Sequence, residues 1–288
     1  MLKNRTVVLG TGSGFIGKKI CERLKAGGSE VLAVSSKEID LCASDSVDRL
    51  KKIIRTEDAV VFASAITPDK GKDAATFMKN VTMSVNVATA IEQTPCAYFI
   101  YISSDAVYAD TINPVREDAP CDSGGLYGHM HRARELVLKP SLQKSKIPHL
   151  FLRPTAVYGF GDTHNGYGPN RFLRTGLKQK KISLFGGGEE KRDHIHVDDF
   201  CRIVELSLQN KREGILNAAT GISISFFDLA KNIAEMVGDG VSVETSARAN
   251  PITYRHFDVT AVYRAFPEFK FTDLHSGLSD FLRKEKNV

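Results

Sequence analysis

The stretch VVLGTGSGFIG (residues 7–17) decides how this chain folds. It begins as an apolar, β-branched run, and Gly12, Gly14 and Gly17 then follow the pattern Gly-x-Gly-x-x-Gly where a helical stretch begins. Glycines at this spacing allow a tight turn, let backbone N–H groups approach a pyrophosphate and let the helix pack close to the strand. The helix N-terminus adds partial positive charge. The pattern predicts a strand–turn–helix unit that binds a dinucleotide; the alternative is an ordinary glycine-rich turn.

The rest of the first half alternates between apolar runs and helix-like stretches. Short β-branched runs predict strands at 6–9, 31–34, 59–62, 97–102 and 148–153. Helix-like stretches lie between them at 15–26, 46–54, 74–92 and 127–138. This alternation predicts the α/β class, with βαβ units that build a doubly wound parallel Rossmann sheet.

The pattern changes after Pro154. Glycine and asparagine cluster at 159–170, and glycines 186–188 form a second turn-rich break. Further helices are predicted at 170–178, 197–208 and 226–237. We therefore expect a dinucleotide-binding domain over residues 1–160, with a returning strand region near 192–220. A smaller, interleaved α/β cap over residues 161–288 would bind substrate above the carboxyl-terminal edge of the sheet.

Composition and charge argue against several classes of protein. The 288 residues are 42% hydrophobic and 25% charged, as in globular proteins, and the formal net charge is +5. Lysine and arginine form no run of five, which gives nucleic-acid binding little support, whereas the mild positive charge suits an anionic small ligand. We find no apolar stretch of membrane-spanning length and no apolar signal region at the start. The five cysteines form no Cys-x-x-Cys pair, so we expect a cytoplasmic protein without disulfides or zinc.

The second predicted strand ends in Ser35-Ser36-Lys37. A site for NAD usually has Asp or Glu about 20 residues after the glycine pattern, where the carboxylate binds the ribose 2′-hydroxyl. Two hydroxyls and an ammonium stand here instead, and lysine is a good partner for the 2′-phosphate of NADP. The segment favours NADP over NAD; the alternative is an ordinary polar turn.

Tyr127 and His131 lie four residues apart in the stretch LYGHMHRARE (126–135). On a helix this spacing puts both side chains on one face, so both can reach one site. A tyrosine beside such a partner can donate and accept the proton of a ketone/alcohol redox reaction. The pair resembles the Tyr-x-x-x-Lys signature of the extended short-chain dehydrogenase/reductase family, in its branch of NAD(P)-dependent nucleotide-sugar epimerases, dehydratases and ketoreductases. Histidine replaces the family's lysine.

Other motifs resemble the same family, in the same order, along nearly the whole chain. SSDAVY (103–108) resembles the segment of the catalytic Ser or Thr, and RPTAVYG (153–159) the strand and loop that close over the nicotinamide. GGGEEKRDHIHVDD (186–199) resembles the family's GxGxxxRDxxHVxD stretch, and LNAATG (216–221) its Asn-containing strand. Asp40-Leu41 resembles the short acidic motif beside the adenine, and Glu135 the glutamate that follows the catalytic tyrosine.

The resemblance implies roles for individual residues. Catalysis would involve Ser104, Asp105, Tyr127 and His131. Substrate binding would involve Ser104, Asn170, Arg171 and Arg192, with Arg192 on the substrate diphosphate; the alternative for Arg192 is a surface ion pair with Asp193 or Asp198. Cofactor contacts are implied at Gly10, Thr11, Gly12, Ser13, Gly14, Phe15, Ile16, Gly17, Ser35, Ser36, Lys37, Asp40, Leu41, Ala63, Ser64, Ala65, Ser103, Tyr127, His131, Pro154 and Val157. No metal is expected at the histidines, because His129 and His131 should point apart on a helix and the family motif accounts for His194 and His196.

Three interpretations of His131 stay open. The family lysine lowers the tyrosine pKa and holds the nicotinamide ribose, and His131 takes over that role in the first interpretation. In the second, the enzyme works best at lower pH, where imidazole is charged. In the third, fast redox chemistry has been lost.

Three functions also stay open. Asp105 is followed by Ala106 rather than by the glutamate usual in 4,6-dehydratases, which argues against dehydration. The first candidate is an NADP-dependent ketoreductase acting on a 4-keto-6-deoxy nucleotide sugar, favoured by Ser-Ser-Lys and by the resemblance of EIDLCASDSVDRL (38–50) to sugar-nucleotide reductases. The second is a 4-epimerase with tightly held NAD, and the third a catalytically impaired nucleotide sensor. The resemblance also implies a homodimer, formed by pairing of helices 74–92 and 127–138.

Overall fold

The chain divides into two compact units. A computed structural model describes residues 4–12, 14–238, 240–248 and 251–287. The first unit contains residues 1–109, 117–154 and 201–218, and the second contains residues 110–116, 155–200 and 219–288. Within the described ranges, none of the helices combines the length and the apolar character that crossing a membrane requires.

Strands and helices alternate through the first unit in the order that the sequence predicts. The elements are β1 (Thr6–Leu9), α1 (Phe15–Ala26), β2 (Val31–Val34), α2 (Ser46–Ile53), β3 (Ala59–Phe62), α3 (Ala74–Gln93), β4 (Tyr98–Ile102), a 3₁₀ helix (Asp105–Val107), α4 (Leu126–Lys144) and β5 (His149–Pro154). The remaining elements are β6 (Ala156–Tyr158), α5 (Pro169–Gln179), β7 (Lys181–Phe185), β8 (Lys191–His196), α6 (Val197–Asn210), β9 (Gly214–Ala218), β10 (Ser223–Ser225), α7 (Phe226–Val237), β11 (Ser242–Ser246), α8 (Thr260–Ala265) and α9 (Leu274–Lys286).

A parallel sheet forms the centre of the first unit. Its strand order is β2-β1-β3-β4-β5-β9 in the part of the chain that the structure describes, and every neighbouring pair is parallel. Strands β1 and β4 are buried along their whole length, which explains their continuous apolar sequences. The predicted α/β class with a parallel sheet is confirmed, and parallel strands end at one edge, where the connecting loops gather.

Helix α4 carries Tyr127 and is longer than its sequence predicts. The expected end at residue 138 is wrong, because the helix continues through Pro140 to Lys144. A proline inside a helix removes one backbone hydrogen bond. Leu138 and Leu142 are fully buried on either side of Pro140, so core packing outweighs that loss.

The second unit is built from smaller sheets. Strand β8 lies between β6, which is parallel to it, and β10, which is antiparallel, while β7 pairs with β11 in parallel. The apolar sides of helices α5, α7 and α9 contribute to a separate core. Helices α5, α6 and α7 confirm the predicted helices within two residues at each end. The domain limits expected from the sequence stay a prediction.

Candidate active site

The turn between β1 and α1 is built for close backbone approach. Gly10 has φ +107°, and a methyl group added there would lie 2.6 Å from the backbone nitrogen of Ser64. A methyl group at Gly17 would collide with the carbonyl oxygen of Gly10. Gly14 precedes α1 and offers no side-chain cap, so the first N–H groups of the helix are available to an anion. This cradle fits the pyrophosphate of a dinucleotide.

The other residues expected at this part of the cofactor lie in the same turn or at the start of α1. Thr11 donates its backbone N–H to the carbonyl of Val34, which ties the turn to the end of β2. Phe15, the first residue of α1, is buried, and Ile16 is partly buried. Gly12 lies against Ser35, where an added methyl group would be 3.1 Å from the serine Cβ. Ser13 lies outside the described residues.

A carboxylate that the sequence interpretation overlooked lies at the end of β2. The Glu38 carboxylate accepts hydrogen bonds from the backbone N–H of Ser35, at 2.6 Å, and from the Ser35 hydroxyl. These bonds lower the pKa of Glu38, the Ser35 hydroxyl contributing most. Ser36 and Lys37 remain exposed. One of the two hydroxyls expected to bind a 2′-phosphate is therefore engaged with a negative group.

Asp40 and Leu41, also expected at the cofactor, make hydrogen bonds and packing contacts within the protein itself. The Asp40 carboxylate accepts from the backbone N–H of Cys42 at 2.9 Å. The Leu41 side chain is buried in the core, and its carbonyl accepts from the Asn86 amide at 2.8 Å. Of this pair, the exposed Asp40 is therefore the residue whose side chain can meet a cofactor.

The segment 63–65 follows β3 and lies beside the glycine turn. Ser64 is the residue that Gly10 approaches, and its carbonyl accepts from Arg134 Nη2 at 2.8 Å. Ala63 donates to the carbonyl of Leu9, and Ala63 and Ala65 are partly buried. The structure thus brings this segment together with the glycine turn and helix α4.

Tyr127 stands in the first turn of α4, beside the 3₁₀ helix. A methyl group at Gly128 would collide with the carbonyl of Ala106, so the two elements are in close contact. Among the described residues, none hydrogen-bonds the Tyr127 hydroxyl, which leaves it available to a substrate. Burial, and then the Asp105 carboxylate, raise the pKa of Tyr127 to about 12. The phenol therefore holds its proton at neutral pH.

A cavity of about 200 Å³ opens beside Tyr127 within the first unit. It lies between the beginnings of α3 and α4. Its lining is largely apolar and includes Ile66, Phe77 and Met130, with Lys72 and Asn80 among the polar members. The Asn80 amide exchanges hydrogen bonds with the backbone of Ile66, at 2.8 and 3.0 Å, and so fixes one wall.

His131 lies on the same face of α4 as Tyr127. The two rings meet edge to face, with centroids 4.7 Å apart. His131 is buried, and burial together with the nearby Arg134 charge lowers its pKa well below the usual value. The ring is therefore neutral at neutral pH, and a charged imidazole requires a pH well below that; better activity at lower pH stays a prediction.

One nitrogen of the His131 ring has a hydrogen-bond partner, and the other has none among the described residues. Nδ1 lies 2.7 Å from the hydroxyl of Tyr101. When the Tyr101 hydroxyl donates to Nδ1, the proton of His131 stands on Nε2. Nε2 is buried without a partner among the described residues, so this donor fits a ribose hydroxyl of the cofactor.

Ser104 and Asp105 begin the 3₁₀ helix. The Ser104 hydroxyl oxygen accepts from the backbone N–H of Ala106 at 3.1 Å and lies 3.4 Å from the Asp105 carboxylate. The Ser104 side chain is almost fully buried. Ser104 therefore supports the local turn, and the Asp105 carboxylate is near enough to Tyr127 to raise its pKa.

A buried ion pair behind the site was missed from the sequence. Glu135 on α4 and Arg153 on β5 are joined by two hydrogen bonds, of 2.9 and 2.6 Å, and both are 1% exposed. Ser103, expected at the cofactor, donates to Glu135 at 2.7 Å. Arg153 donates to the Tyr108 hydroxyl at 2.8 Å, which donates to Asn217 at 2.7 Å. Hydrogen bonds thus connect α4 to the strands beneath it.

The remaining expected site residues include the second unit's substrate candidates. The Asn170 amide accepts from the N–H of Gly159 at 3.1 Å and donates to Val157 at 3.4 Å, so it organises the loop after β6. Arg171 is exposed and donates to Asn165 at 3.3 Å. Arg192 donates to the carbonyl of Thr253 at 2.9 Å. Val157 lies in β6, paired with Ile195, and the buried Pro154 ends β5 in the first unit.

One group of side chains in the second unit has the spacing of metal ligands. His196, Asp198 and Asp280 place ligand atoms within 4.8 Å of one another. Asp280 is also paired with Arg283 at 2.7 Å and Lys284 at 2.6 Å. These positive charges oppose the binding of a cation.

Comparison with known proteins identifies the family. The model of the NAD dependent epimerase/dehydratase family matches residues 6–219. The spore coat polysaccharide biosynthesis protein SpsK of Bacillus subtilis (strain 168) is 28% identical over 297 aligned residues, which cover 98% of this chain and 99% of SpsK. A dTDP-4-dehydro-6-deoxy-D-allose reductase of Streptomyces bikiniensis is 23% identical, covering 97% of this chain and 95% of the reductase.

The solved structures agree at the level of the fold. A GDP-L-fucose synthetase from Naegleria fowleri bound to NADP superimposes with a TM-score of 0.85 at 17% identity, covering 100% of this chain and 95% of that structure. The parallel sheet, the glycine turn and the family match together show that the chain belongs to the NAD dependent epimerase/dehydratase family, the extended short-chain dehydrogenases/reductases.

Proposed function

We propose that this protein is an NADP-dependent ketoreductase acting on a 4-keto-6-deoxy nucleotide sugar, with Tyr127 as the proton donor. The observation that carries the proposal is the protonated Tyr127 hydroxyl, which no described residue hydrogen-bonds, beside a largely apolar cavity. The family and the relatives support the broader class of nicotinamide-dependent enzymes of nucleotide sugars.

The protonated Tyr127 matches the acid that a reduction requires. A reductase needs an acid that gives a proton to the oxygen as the carbonyl becomes an alcohol. An epimerase must first remove a proton from a hydroxyl, so its tyrosine has to start as phenolate. Burial and the Asp105 carboxylate raise the pKa of Tyr127, so the phenol holds the proton that a reduction requires.

The remaining side chains would orient the reactants. The bound nicotinamide would supply the hydride. His131 would donate from Nε2 to the ribose, as the neutral substitute for the family's lysine. Ser104 would contact the reacting oxygen, and Arg192 of the second unit would bind the substrate diphosphate.

The lining of the cavity supports a deoxygenated sugar. Ile66, Phe77 and Met130 offer no side-chain hydrogen bond to a substituent. Burying a hydroxyl without a partner costs about 1–3 kcal/mol in proteins, whereas a methyl group gains from burial. A 6-deoxy carbon therefore suits this wall better than a hydroxymethyl group. The S. bikiniensis relative is named as a reductase of such a sugar.

A direct assay separates the candidate functions. The protein would be denatured to identify any retained nucleotide, and a native sample would be mixed with dTDP-4-keto-6-deoxyglucose and NADPH. Oxidation of NADPH with formation of the alcohol is the expected result. Retained NAD with interconversion of 4-hydroxy sugars would establish the epimerase instead, and cofactor binding without turnover at any pH would establish the sensor.

The choice of cofactor depends on the end of β2. We expect Lys37→Ala to weaken NADPH binding about tenfold and NADH binding little, because the lysine meets only the 2′-phosphate. Glu38→Gln should strengthen NADPH binding, since it removes a negative charge beside that phosphate. Both are measured by fluorescence titration, with Lys51→Ala, a lysine paired with Asp48 at 3.5 Å, as control. Equal losses for both cofactors in Lys37→Ala would rule out the phosphate contact.

We also propose a homodimer formed through helices α3 and α4. Met78 and Val85 lie seven residues apart on α3 and are 58% and 45% exposed, and Leu136 on α4 is 55% exposed. Leu136→Glu should convert a dimer to a monomer, as measured by light scattering. Ile222→Glu, at an even more exposed apolar residue of the second unit, should leave the mass unchanged. A wild-type monomer would refute the proposal.

A further inference from the structure

Neither side chain of the Tyr127–His131 pair carries the positive charge that would stabilise a tyrosine phenolate. His131 stands one helical turn from Tyr127 but is neutral. The next residue on that face is Arg134, three positions after His131 and seven after Tyr127. Residues at these spacings form one row along a helix. The row therefore contains an arginine two helical turns from Tyr127.

Arg134 is held entirely inside the first unit. It is 0% exposed, Nε donates to the Ser84 hydroxyl at 2.6 Å, and Nη2 donates to the Ser64 carbonyl at 2.8 Å. The guanidinium lies over the rings of Phe62 and Tyr101, at 4.3 and 5.0 Å from their centroids. Two serines and two aromatic faces fix both its place and its orientation.

The charge of Arg134 is uncompensated in the part of the chain that the structure describes. No carboxylate forms a salt bridge with it there, and Nη1 is buried without a hydrogen-bond partner. Arginine stays protonated in proteins, so burial makes this a costly cation rather than a neutral group. A buried cation of this kind favours a negative charge nearby.

Arg134 also points toward the reacting end of the helix. Side chains on a helix lean toward its N-terminus, which brings the guanidinium back toward the turns of His131 and Tyr127. Its contact with Ser64 places it at the segment beside the glycine turn. Consistent with this position, its charge acts to lower the pKa of both His131 and Tyr127.

We propose that Arg134 is a positioning residue that supplies, from two turns further along α4, the fixed positive charge that stabilises the Tyr127 phenolate. His131 then serves only as a neutral hydrogen-bond donor, so two residues divide the work of the family's single lysine. The inference rests on the proposed role of Tyr127 as the acid of the reaction. When the phenol gives up its proton, Arg134 is the charge that balances the resulting anion.

The other groups around Tyr127 define what Arg134 has to offset. The carboxylates of Asp105 and Asp69 raise the pKa of Tyr127, and the buried Tyr101 and the partly buried Cys42 face Arg134 itself. The two carboxylates are negative, and Tyr101 and Cys42 become negative when they ionise. Arg134 is the buried positive group whose charge lowers the pKa of Tyr127, while Lys72 and Asp73 line the cavity beside the tyrosine.

The test reads the ionisation of Tyr127 without any turnover. A fluorinated tyrosine, whose phenol ionises at a lower pH, would be incorporated at position 127 of the full chain and titrated by its phenolate absorbance. We expect Arg134→Met to make this phenol about tenfold less acidic or more, and Arg134→Lys, which keeps the charge, to leave its pKa nearly unchanged. The double variant His131→Lys/Arg134→Met returns a cation to the helix and should lower the pKa again.

Control variants separate the charge from a structural effect. Arg132→Met removes an arginine of the same helix that is 37% exposed and paired with Glu135, and should not change the titration. Arg134→Gln keeps a donor for Ser64 and replaces Arg134→Met if methionine prevents folding. A folded neutral variant with an unchanged Tyr127 titration would overturn the inference, and so would an equal change in Arg132→Met.

The titration also separates this inference from the proposed function. It uses no substrate, so failure of the reductase assay leaves its outcome intact. A pKa that does not respond to Arg134 refutes the inference even if keto sugar is reduced. In an active enzyme, Arg134→Met should lower kcat by up to about the same factor by which it weakens the acidity of the Tyr127 phenol, with KM little changed.

Discussion

Replacing Tyr127 with phenylalanine is expected to lower kcat by about 10²–10⁴-fold while cofactor affinity stays within a factor of about two or three of wild type. The substitution removes one oxygen atom from the first turn of α4. Because no described residue hydrogen-bonds that hydroxyl, its loss breaks no structural contact. The edge-to-face contact with His131 remains, since the ring is unchanged.

The measurement is NADPH oxidation with a saturating 4-keto sugar, alongside fluorescence titration of the cofactor. Tyr263→Phe removes a hydroxyl from an exposed tyrosine on α8 and should leave both quantities unchanged. Retained activity in Tyr127→Phe would refute the assignment of the proton donor. A parallel loss of cofactor affinity would indicate a binding role instead.

The second large effect is on stability. Glu135→Ala is expected to lower the free energy of unfolding by about 3–5 kcal/mol, because it leaves the buried Arg153 guanidinium without its carboxylate. Ser103 would lose its hydrogen-bond acceptor as well. Urea denaturation followed by circular dichroism measures the change.

Two variants show whether the buried charge is the cause. Lys144 lies on the same helix as Glu135, and Lys144→Ala breaks its pair with Glu92 of α3. Because Lys144 is 74% exposed, the expected loss is at most about 1 kcal/mol. Glu135→Met/Arg153→Met removes both buried charges and should recover part of the stability lost in Glu135→Ala. Similar losses in Glu135→Ala and Lys144→Ala would contradict the explanation.

Local patterns were sufficient to predict most of the fold. Strand β1 and helices α1 and α7 begin and end where the sequence predicts, because apolar runs and glycine turns are short-range signals. The continuation of α4 past Pro140 was not predictable in that way. It depends on Leu138 and Leu142 packing into a core that forms only when distant strands assemble.

The candidate site likewise combines residues that local patterns predict with residues that they do not predict. Gly17, Tyr127 and His131 could be predicted as site residues because motifs preserve their spacing. The carboxylate of Glu38 was missed because it folds back by three residues onto Ser35, and Arg134 because its partners Ser64 and Ser84 lie 70 and 50 residues away. A buried charge gives no periodic signal in the sequence, and only the contacts around it reveal what it does.

The placement of the cavity beside Tyr127 has an evolutionary consequence. Its apolar wall is contributed by Ile66, Phe77 and Met130, from a loop and two helices outside the sheet, whereas Glu135 and Arg153 maintain the structure behind it. In the proposed reductase, substitutions in the wall would therefore alter which sugars are accepted without touching the Glu135–Arg153 pair. At Met130, which is 2% exposed, the new side chain has to keep a similar volume. Directed evolution limited to these three positions should yield altered substrate ranges on an unchanged scaffold, and related enzymes can diverge by the same route.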